Sequence, residues 1–415
     1  MNKKQLSGIL TVCLFIFAAQ IYAKDISQPE KARFIKENIE FAELQTQKIL
    51  RETGEPTGKN YPRTTNKEGS LSVNNMYAWT SGFFPGSLWY LYELSGDTVW
   101  RNYAEKWTES LEPLKTFTDH HDLGFMMYCS YGNGYRLTGK IGYKEIIEQS
   151  ARSLSTRYSD KTKAIKSWNI WTSWDGASKG YYPVIIDNMM NLELLIEASK
   201  MSDDKLLYNI ALIHANTTIK NHFRSDFGTY HVVDYDTING SVRHQATAQG
   251  YSDNSTWARG QAWAIYGYTM MYRETGDKTY LDVAVKATDF YLSHLPQDLI
   301  PVWDFNVGQE GYNPQGRSKA VTNQSKLRDT SAAAIVCSAL FELGKYVDNK
   351  GYTDKAIKML HNLSSPQYRA QPGANGGFIL MHSVGSIPHG FEVDTPIVYT
   401  DYYFLEALVR YKNLK

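Results

Sequence analysis

The chain has 415 residues, of which 42% are hydrophobic, enough to bury a large core in one large domain or two ordinary ones. Lys and Arg number 44 against 43 Asp and Glu, which gives a net charge of +1. This balance excludes a global field that would recruit nucleic acid or an anionic membrane, so an anionic ligand must meet local cations. Aromatic residues make up 13% of the chain, and their flat faces suit stacking on sugar rings as well as core packing.

The first 23 residues, MNKKQLSGILTVCLFIFAAQIYA, differ in character from the rest. Lys3 and Lys4 precede an apolar segment at residues 9–19, and the small residue Ala23 ends the stretch. This order is typical of a cleavable secretory signal, and the segment is too short to span a membrane. We therefore expect an exported, periplasmic protein. No Pro/Gly/Ser-rich linker or charge run interrupts residues 24–415, which predicts a single domain there.

Two cysteines follow the predicted signal, Cys129 and Cys337. Each lies in an apolar helical context, which favours two buried free thiols over a disulfide. No Cys/His cluster has the spacing of a metal site, so we expect neither a metal nor a cofactor.

From residue 31 onward, two kinds of helical segment alternate. Amphipathic segments with charged faces are predicted at residues 31–50, 99–114, 143–158, 205–223, 280–295 and 352–363. Segments that are apolar or aromatic nearly all round are predicted at residues 82–94, 126–137, 187–198, 260–274, 330–345 and 399–411. Because a helix that is hydrophobic on every side must be buried, the second kind forms an inner layer. Six such hairpins closed in a ring predict an all-α fold, an (α/α)6 toroid.

The connections between these helices are of two lengths. Short turns ending in glycine, at Gly96, Gly139 and Gly276, join a buried helix to the next amphipathic one. The long polar and aromatic connections precede the buried helices, at residues 61–81, 118–125, 167–186, 228–259, 300–329 and 372–394. They should therefore gather at one mouth, the expected place for a site. Strands are expected only in loops such as residues 228–236 and 376–381.

One carboxylate, Asp187, stands inside an apolar run, YYPVIIDNMMNLELL at residues 181–195. Burying an unpaired carboxylate is costly and raises its pKa, so this residue must be capped, paired or used. Taken alone, the stretch favours a helix N-cap, with Asn188 and Met189 opening the first turn, because caps are far commoner than catalytic acids.

A second acidic position lies one hairpin earlier, in DHHDLGF, which contains Asp119, His120, His121 and Asp122. Adjacent histidines cannot easily face one ion, which disfavours a metal, and a capping role explains one aspartate at most. Asp122 and Asp187 open consecutive inner helices, whose axes lie about 10 Å apart. We expect the two carboxylates to face each other, with repulsion keeping one protonated, so that one site holds an acid and an anion.

The segment GYSDNSTWARGQAW leads into the fourth buried helix and contains Trp257, Arg259 and Trp263. Arg259 is a cation where the chain becomes apolar, so it either binds a ligand carboxylate or forms a salt bridge to an inner aspartate. Both interpretations stand on the sequence alone. Further donors and flat surfaces, each of which also fits a scaffold role, are Trp79, Trp171, Trp174, His231 and Gln249.

Five long segments, in order and spread over most of the chain, carry a resemblance to a known family. They are WTSGFFPGSLWYLYELSG, HDLGFMMYCSYGNGYRLTG, IIDNMMNLELL, YSDNSTWARGQAWAIYG and DYYFLEALVR. Together they resemble the unsaturated glucuronyl hydrolases, glycoside hydrolase family 88. The sequence departs from the family at Ala248, where the family often has His before the Gln of this motif.

The resemblance implies a substrate and a reaction. Polysaccharide lyases leave a C4=C5 double bond in the non-reducing uronate, and enzymes of this family hydrate that bond, after which the ring opens and the neighbouring sugar leaves. The catalytic residues implied are Asp187, as the acid/base that protonates C4, and Asp122, as the ionised partner. The substrate-binding residues implied are Trp79, His121, His231, Gln249, Trp257, Arg259 and Trp263. Glycosaminoglycan disaccharides are the expected substrates, and no metal takes part.

Three alternatives remain open at this stage. The related unsaturated rhamnogalacturonyl hydrolases share the fold and the aspartate, although HDLGF with SYGNGYRLTG fits family 88 better. A polysaccharide lyase on the same toroid would need a Tyr or His base, which a chain with 30 Tyr can supply. A non-catalytic sugar-binding protein is disfavoured, because a binding site gains little from burying two like charges.

Overall fold

The computed structural model of the protein describes residues 28–347 and 351–414. The predicted signal, residues 1–23, lies outside these ranges. Twelve α-helices occur in the described part of the chain. They are α1 (Gln28–Thr53), α2 (Phe83–Ser95), α3 (Thr98–Glu109), α4 (Asn133–Thr138), α5 (Ile141–Ser155), α6 (Leu192–Ser202), α7 (Lys205–His222), α8 (Ala258–Thr275), α9 (Lys278–Ser293), α10 (Thr330–Leu343), α11 (Tyr352–Leu363) and α12 (Val398–Lys412).

Even-numbered helices form an inner ring and odd-numbered helices an outer one. Every residue of α10 is buried, whereas α3 buries one stripe and leaves its charged face exposed. This difference follows from the sequence, because only an all-round apolar helix can be covered on every side. Helix α12 packs against both α10 and α2, which closes the ring. The predicted (α/α)6 toroid is confirmed.

The short turns between inner and outer helices have the predicted chemistry. Gly96, Gly139 and Gly276 end α2, α4 and α8 with φ of 75°, 67° and 70°. Glycine adopts this left-handed conformation without a Cβ clash. Asp97 and Asp277 then cap the outer helices α3 and α9, since their side chains accept backbone N–H groups from the first turn.

Three helices differ from the sequence expectation. The second inner segment begins as a π-helix, Gly124–Gly132, before α4. The third begins as a 3₁₀-helix, Ile186–Asn191, before α6. Helix α3 was expected to reach residue 114 but ends at Glu109, because Pro113 has no N–H to donate to that turn, and a 3₁₀-helix, Glu112–Thr116, follows.

Eleven short strands lie in the described connections. They are β1 (Tyr61–Thr65), β2 (Leu71–Asn74), β3 (Tyr158–Ser159), β4 (Ala164–Ile165), β5 (Trp171–Thr172), β6 (Lys179–Gly180), β7 (Pro183–Ile185), β8 (Val232–Tyr235), β9 (Val242–Ala246), β10 (Ser383–Ser386) and β11 (Phe391–Thr395). The strand expected within residues 228–236 is present as β8. Residues 376–381 contain no named strand, and that connection pairs β10 with β11 instead.

A three-stranded antiparallel sheet, β7-β8-β9, supports the mouth of the toroid. Val233 of β8 pairs with Val184 of β7 on one side and with Gln245 of β9 on the other. The sheet joins the third and fourth long connections, and it fixes the segment that leads into Asp187, because β7 ends at Ile185.

Two further expectations concern cysteine chemistry and membrane segments. Cys129 and Cys337 are both buried free thiols, as predicted. Within residues 28–347 and 351–414, no helix combines the length and the apolar character needed to cross a membrane.

Candidate active site

A cavity of about 480 Å³ opens at one end of the inner ring. All six long connections contribute to it, so the predicted mouth exists. We call it the mouth cavity, and the residues that line it are Trp79, Asp122, Trp168, Ile170, Trp171, Thr172, Trp174, Ile185, Asp187, Ala248, Gln249, Arg317, His389 and Phe391.

Asp187 is the second residue of the 3₁₀-helix that precedes α6. Its interpretation as an N-cap is wrong, because Ile185 occupies the cap position and no side chain caps this helix. The carboxyl is buried, and its Oδ2 atom has no hydrogen-bond partner within the described protein. Burial, helped by repulsion from Asp122 and opposed by Arg259, raises the pKa of Asp187 to about 7. Near neutral pH this carboxyl therefore carries a proton for much of the time.

The pKa of Asp122 is shifted in the opposite direction from that of Asp187. His120 Nδ1 lies 3.1 Å from its Oδ2 atom, and His121 Nε2 lies 3.3 Å from its Oδ1 atom. Burial alone would raise the pKa of Asp122, but the neighbouring imidazoles and Arg157 outweigh it, and the pKa is lowered. Asp122 is thus an anion beside a carboxylic acid. The two histidines, which the sequence disfavours as metal ligands, both face this carboxylate.

Close packing of the two inner segments brings these aspartates together. Gly124 lies against Asn191, where an added Cβ would be 2.5 Å from the Asn191 Cα. Asn191 in turn accepts the backbone N–H of Phe125 through its Oδ1 atom at 3.2 Å. The start of the π-helix and the 3₁₀-helix are thereby held in contact, with Asp122 and Asp187 at their mouth ends. The predicted acid and anion share one cavity.

His231 lies behind Asp187, with its Nε2 atom 3.6 Å from Asp187 Oδ2. Its Nδ1 atom accepts the backbone N–H groups of Ala248 and Gln249, each at 3.1 Å. A nitrogen that accepts two hydrogen bonds carries no proton, so the proton of the neutral ring is on Nε2. Burial and the nearby Arg259 charge hold the pKa of His231 well below its usual value. His231 therefore presents a neutral N–H to Asp187.

Arg259 forms the internal salt bridge that the sequence left as one of two interpretations. It is buried, and its Nη1 atom lies 3.2 Å from Asp329 Oδ2. The guanidinium also donates to the carbonyl oxygens of Val384 and Gly385. It is not among the residues that line the mouth cavity. Arg259 acts on the site from behind, where its charge lowers the pKa of Asp187.

Trp257 and Trp263 also lie behind the cavity lining. The Trp257 ring is 4.6 Å from that of His231 on one side and 4.4 Å from the Arg259 guanidinium on the other. Trp263 is fully buried, and its indole N–H lies near enough to Asp187 to lower the pKa of that carboxyl. The Nε1 atom of Trp263 and the Nε2 atom of His231 lack hydrogen-bond partners of normal geometry in the described chain. Two donors thus converge on one carboxyl.

The other predicted site residues divide between the cavity lining and the layer behind it. Trp79 and Gln249 line the mouth cavity. Trp79 packs at 5.1 Å against the Tyr399 ring, and Gln249 donates to the Gly385 carbonyl at 3.2 Å. His121 is fully buried, does not line the cavity, and lies 3.3 Å from the lining residue Asp122.

Several lining residues lie outside the site that the family resemblance implies. Trp171 and Trp174 are named from sequence only as flat surfaces that also fit a scaffold role, and Trp168 is not named, although the three occupy one connection at a spacing of three residues, a signal that the sequence offered. His389 and Phe391 come from the β10-β11 hairpin and had no such signal. Arg317 also lines the cavity, and no described residue forms a hydrogen bond or ion pair with its guanidinium.

Comparisons with known proteins identify the family of the chain. The model of Glycosyl Hydrolase Family 88 matches residues 52–412. An unsaturated glucuronyl hydrolase of Formosa agariphila is 50% identical over 340 residues, which cover 81% of this chain and 80% of that protein. An unsaturated chondroitin disaccharide hydrolase of Streptococcus pneumoniae is 32% identical over 363 residues, 85% of this chain and 86% of that protein.

A solved structure gives the same result. The crystal structure of an unsaturated glucuronyl hydrolase specific for heparin superposes with a TM-score of 0.83 at 43% identity, covering 91% of this chain and 97% of that one. The family model, the relatives and the solved structure each cover most of the chain. The chain therefore belongs to glycoside hydrolase family 88 and is an enzyme of the unsaturated glucuronyl hydrolase class.

Proposed function

We propose that this enzyme hydrates the C4=C5 double bond of the non-reducing unsaturated uronate in glycosaminoglycan oligosaccharides. The Asp187 carboxyl carries this proposal, because it is buried, has a pKa of about 7 and lines the same cavity as the ionised Asp122. An acid whose pKa lies near the working pH can both give and take a proton.

In this reaction the Asp187 carboxyl donates its proton to C4 of the unsaturated ring. Positive charge then develops at C5 and on the ring oxygen, and water adds at C5 while Asp187 takes back a proton from that water. The C5 hemiketal opens to a ketone, which leaves a hemiacetal at C1. That hemiacetal collapses to an aldehyde as the neighbouring sugar departs with its oxygen. Asp187 ends in its starting state, so the cycle consumes one water.

Asp122 and His231 support these steps in different ways. The Asp122 carboxylate favours the developing positive charge, and its repulsion helps keep Asp187 protonated. The His231 N–H, 3.6 Å from Asp187 Oδ2, stabilises the carboxylate that forms once the proton has left.

Glycosaminoglycan fragments are the substrate class we favour. The similar proteins are named for glucuronyl, chondroitin disaccharide and heparin substrates. The mouth cavity adds four tryptophan rings for stacking and the unpaired cation Arg317 for an anionic group. The signal-like residues 1–23 support the further proposal that the enzyme is exported to the periplasm.

An ultraviolet assay tests the reaction type. The conjugated enol-carboxylate of lyase-cut disaccharides absorbs in the ultraviolet, and we expect the enzyme to remove that absorbance. A polysaccharide lyase would instead create absorbance from intact polymer. A sugar-binding protein would leave the absorbance of both the disaccharide and the polymer unchanged. Rhamnogalacturonan-derived disaccharides, run in parallel, distinguish the related hydrolases. Appearance of absorbance from intact polymer would contradict the proposal.

A further inference from the structure

Ser167 is a fully buried hydroxyl residue with no assigned role, located between β4 and β5. Its backbone joins two parts of the site: its carbonyl accepts the N–H of His121 at 3.2 Å, and its N–H donates to the Pro183 carbonyl at 2.8 Å. Its side-chain Oγ accepts the N–H of Ile185 at 2.9 Å and lies 3.3 Å from the Nδ1 atom of His121. One serine thus contacts the segments that carry both aspartates.

The hydrogen-bond inventory determines which way the Ser167 hydroxyl points. The Oγ atom already accepts from the Ile185 N–H, so its own hydrogen needs an acceptor. Within the described chain, His121 Nδ1 is the acceptor in reach. If His121 instead donated from Nδ1, the Ser167 hydrogen would be buried without a partner, which is energetically unfavourable. The hydroxyl therefore donates to Nδ1.

This assignment fixes the tautomer of His121. A ring nitrogen that accepts a hydrogen bond carries no proton, so the proton of the neutral ring is on Nε2. That Nε2 atom lies 3.3 Å from Asp122 Oδ1. Burial lowers the pKa of His121, so near neutral pH the imidazole offers Asp122 an N–H dipole and not a full positive charge. With the other tautomer, a nitrogen lone pair would face the carboxylate and repel it.

We propose that Ser167 is a positioning residue that locks His121 in its Nε2–H tautomer and so keeps Asp122 the ionised partner of Asp187, a role that rests on the proposed function of the two aspartates. The second site histidine is held by the same kind of device. Backbone N–H groups of Ala248 and Gln249 occupy Nδ1 of His231, so its Nε2–H also faces a carboxyl. The Ser167 side chain thus fixes the tautomer of His121, and backbone N–H groups fix the tautomer of His231.

Ser167→Ala tests this role through activity and its pH profile. The variant lets His121 adopt either tautomer, and we expect kcat/KM to fall about tenfold to a hundredfold, by analogy with the loss of a partner that orients a metal-ligating histidine. The pKa of Asp122 should rise, so the acid limb of the profile moves to higher pH. The charged and titratable groups that face Asp122 and His121 are His120, Arg157, Asp187, His214 and His231. All of them are unchanged in the variant.

A matched control separates this role from general packing. Ser150 on α5 is equally buried, and its hydroxyl donates to the Ile146 carbonyl at 2.7 Å, away from the mouth cavity. We expect Ser150→Ala to match wild type in kcat/KM and in the position of the acid limb. An equal effect of both variants would overturn the proposal.

A double-mutant cycle then asks whether Ser167 acts through His121. In a His121→Gln background the group that faces Asp122 is an amide N–H, which has no tautomer, so Ser167→Ala should have little further effect. Additive losses would overturn the proposal, as would Ser167→Ala activity within twofold of wild type.

A direct readout covers the case in which Ser167→Ala is poorly folded. In ¹⁵N-histidine-labelled wild type, the signal that disappears in His121→Gln should have the shifts of a neutral Nε2–H ring. An Nδ1–H signal would overturn the proposal. The proposed function is tested separately, because it fails only if wild type does not consume the double bond.

Discussion

The Nε2–H of His231 faces the Asp187 carboxyl across 3.6 Å, and the backbone of residues 248 and 249 fixes the histidine in that tautomer. The contact joins a neutral donor to an acid whose pKa burial raises to about 7. His231 favours the carboxylate after proton transfer without forming a full ion pair before it. The site can therefore release a proton and recover it near neutral pH.

The first prediction concerns the pH dependence of kcat/KM on an unsaturated disaccharide. Asp187 must be protonated, and its pKa is raised to about 7, so activity should fall as pH rises through about 7. Asp122 must be ionised, and its pKa is lowered, so the acid limb should lie below pH 3.8. Initial rates across this range measure both limbs. A basic limb far above pH 7 would contradict the assignment of Asp187.

The second prediction concerns Asp122→Asn. The substitution removes the negative charge that helps raise the pKa of Asp187, so the basic limb should move to lower pH. Loss of the anion at the developing charge should also lower kcat by about a hundredfold or more.

Asp119→Asn is the matched control for this variant. Asp119 belongs to the same motif but is exposed and does not line the mouth cavity. We expect wild-type rates and an unmoved basic limb. If Asp122→Asn left the limb in place, the coupling between the two aspartates would be refuted.

The third prediction concerns the buried ion pair of Arg259 and Asp329. Asp329→Ala leaves the Arg259 charge buried beside the carbonyls of Val384 and Gly385, and it removes the acceptor of the Ser331 N–H. Breaking such a pair typically lowers the free energy of unfolding by about 3–5 kcal/mol. Urea unfolding measures this loss.

The control for this prediction is an exposed pair on α1. Arg33 and Glu37 are 3.9 Å apart, with side chains 73% and 61% exposed, so Glu37→Ala should not move the urea midpoint. Equal effects of Glu37→Ala and Asp329→Ala would contradict a structural role for the buried pair.

The fourth prediction concerns Arg317, the unpaired cation of the mouth cavity. Arg317→Gln should lower kcat/KM by about tenfold for disaccharides with an anionic group on the leaving sugar, because a charge-assisted contact is lost. The kcat/KM of Arg317→Gln for unsulfated disaccharides should fall far less.

Arg243→Gln is the control, since Arg243 is exposed, lies 3.6 Å from Asp234 and does not line the cavity. We expect no change in substrate preference. An equal loss of kcat/KM on sulfated and unsulfated substrates would show that Arg317 does not contact the anionic group of the leaving sugar.

Much of the fold could be predicted from local sequence features. Helices apolar on every side must be buried, and glycine stops such as Gly96 mark the turns to the outer ring. The starts of two inner segments could not be predicted in this way. The π-helix before α4 and the 3₁₀-helix before α6 depend on packing between segments, as at Gly124 against Asn191.

In the site, too, some features could be predicted from local sequence and others depend on tertiary packing. Asp122 and Asp187 could be paired from the alternation of helices, because each opens an inner segment. The partner of Arg259 is 70 positions away, and the Ser167 contact of His121 spans 46, so no local pattern reveals either. The sequence could suggest which residues carry chemistry, whereas the residues that orient them depend on the tertiary fold.

The most direct test of the central claim follows ultraviolet absorbance of an unsaturated glycosaminoglycan disaccharide with wild type and Asp187→Asn. The amide cannot donate an acidic proton to C4, so we expect wild type to remove the absorbance and the variant to lose activity by about 10²–10⁴-fold, the usual contribution of general acid catalysis. The melting temperature should not fall, because the substitution keeps the shape and removes a buried acid. Undiminished turnover by a folded Asp187→Asn variant would contradict the assignment.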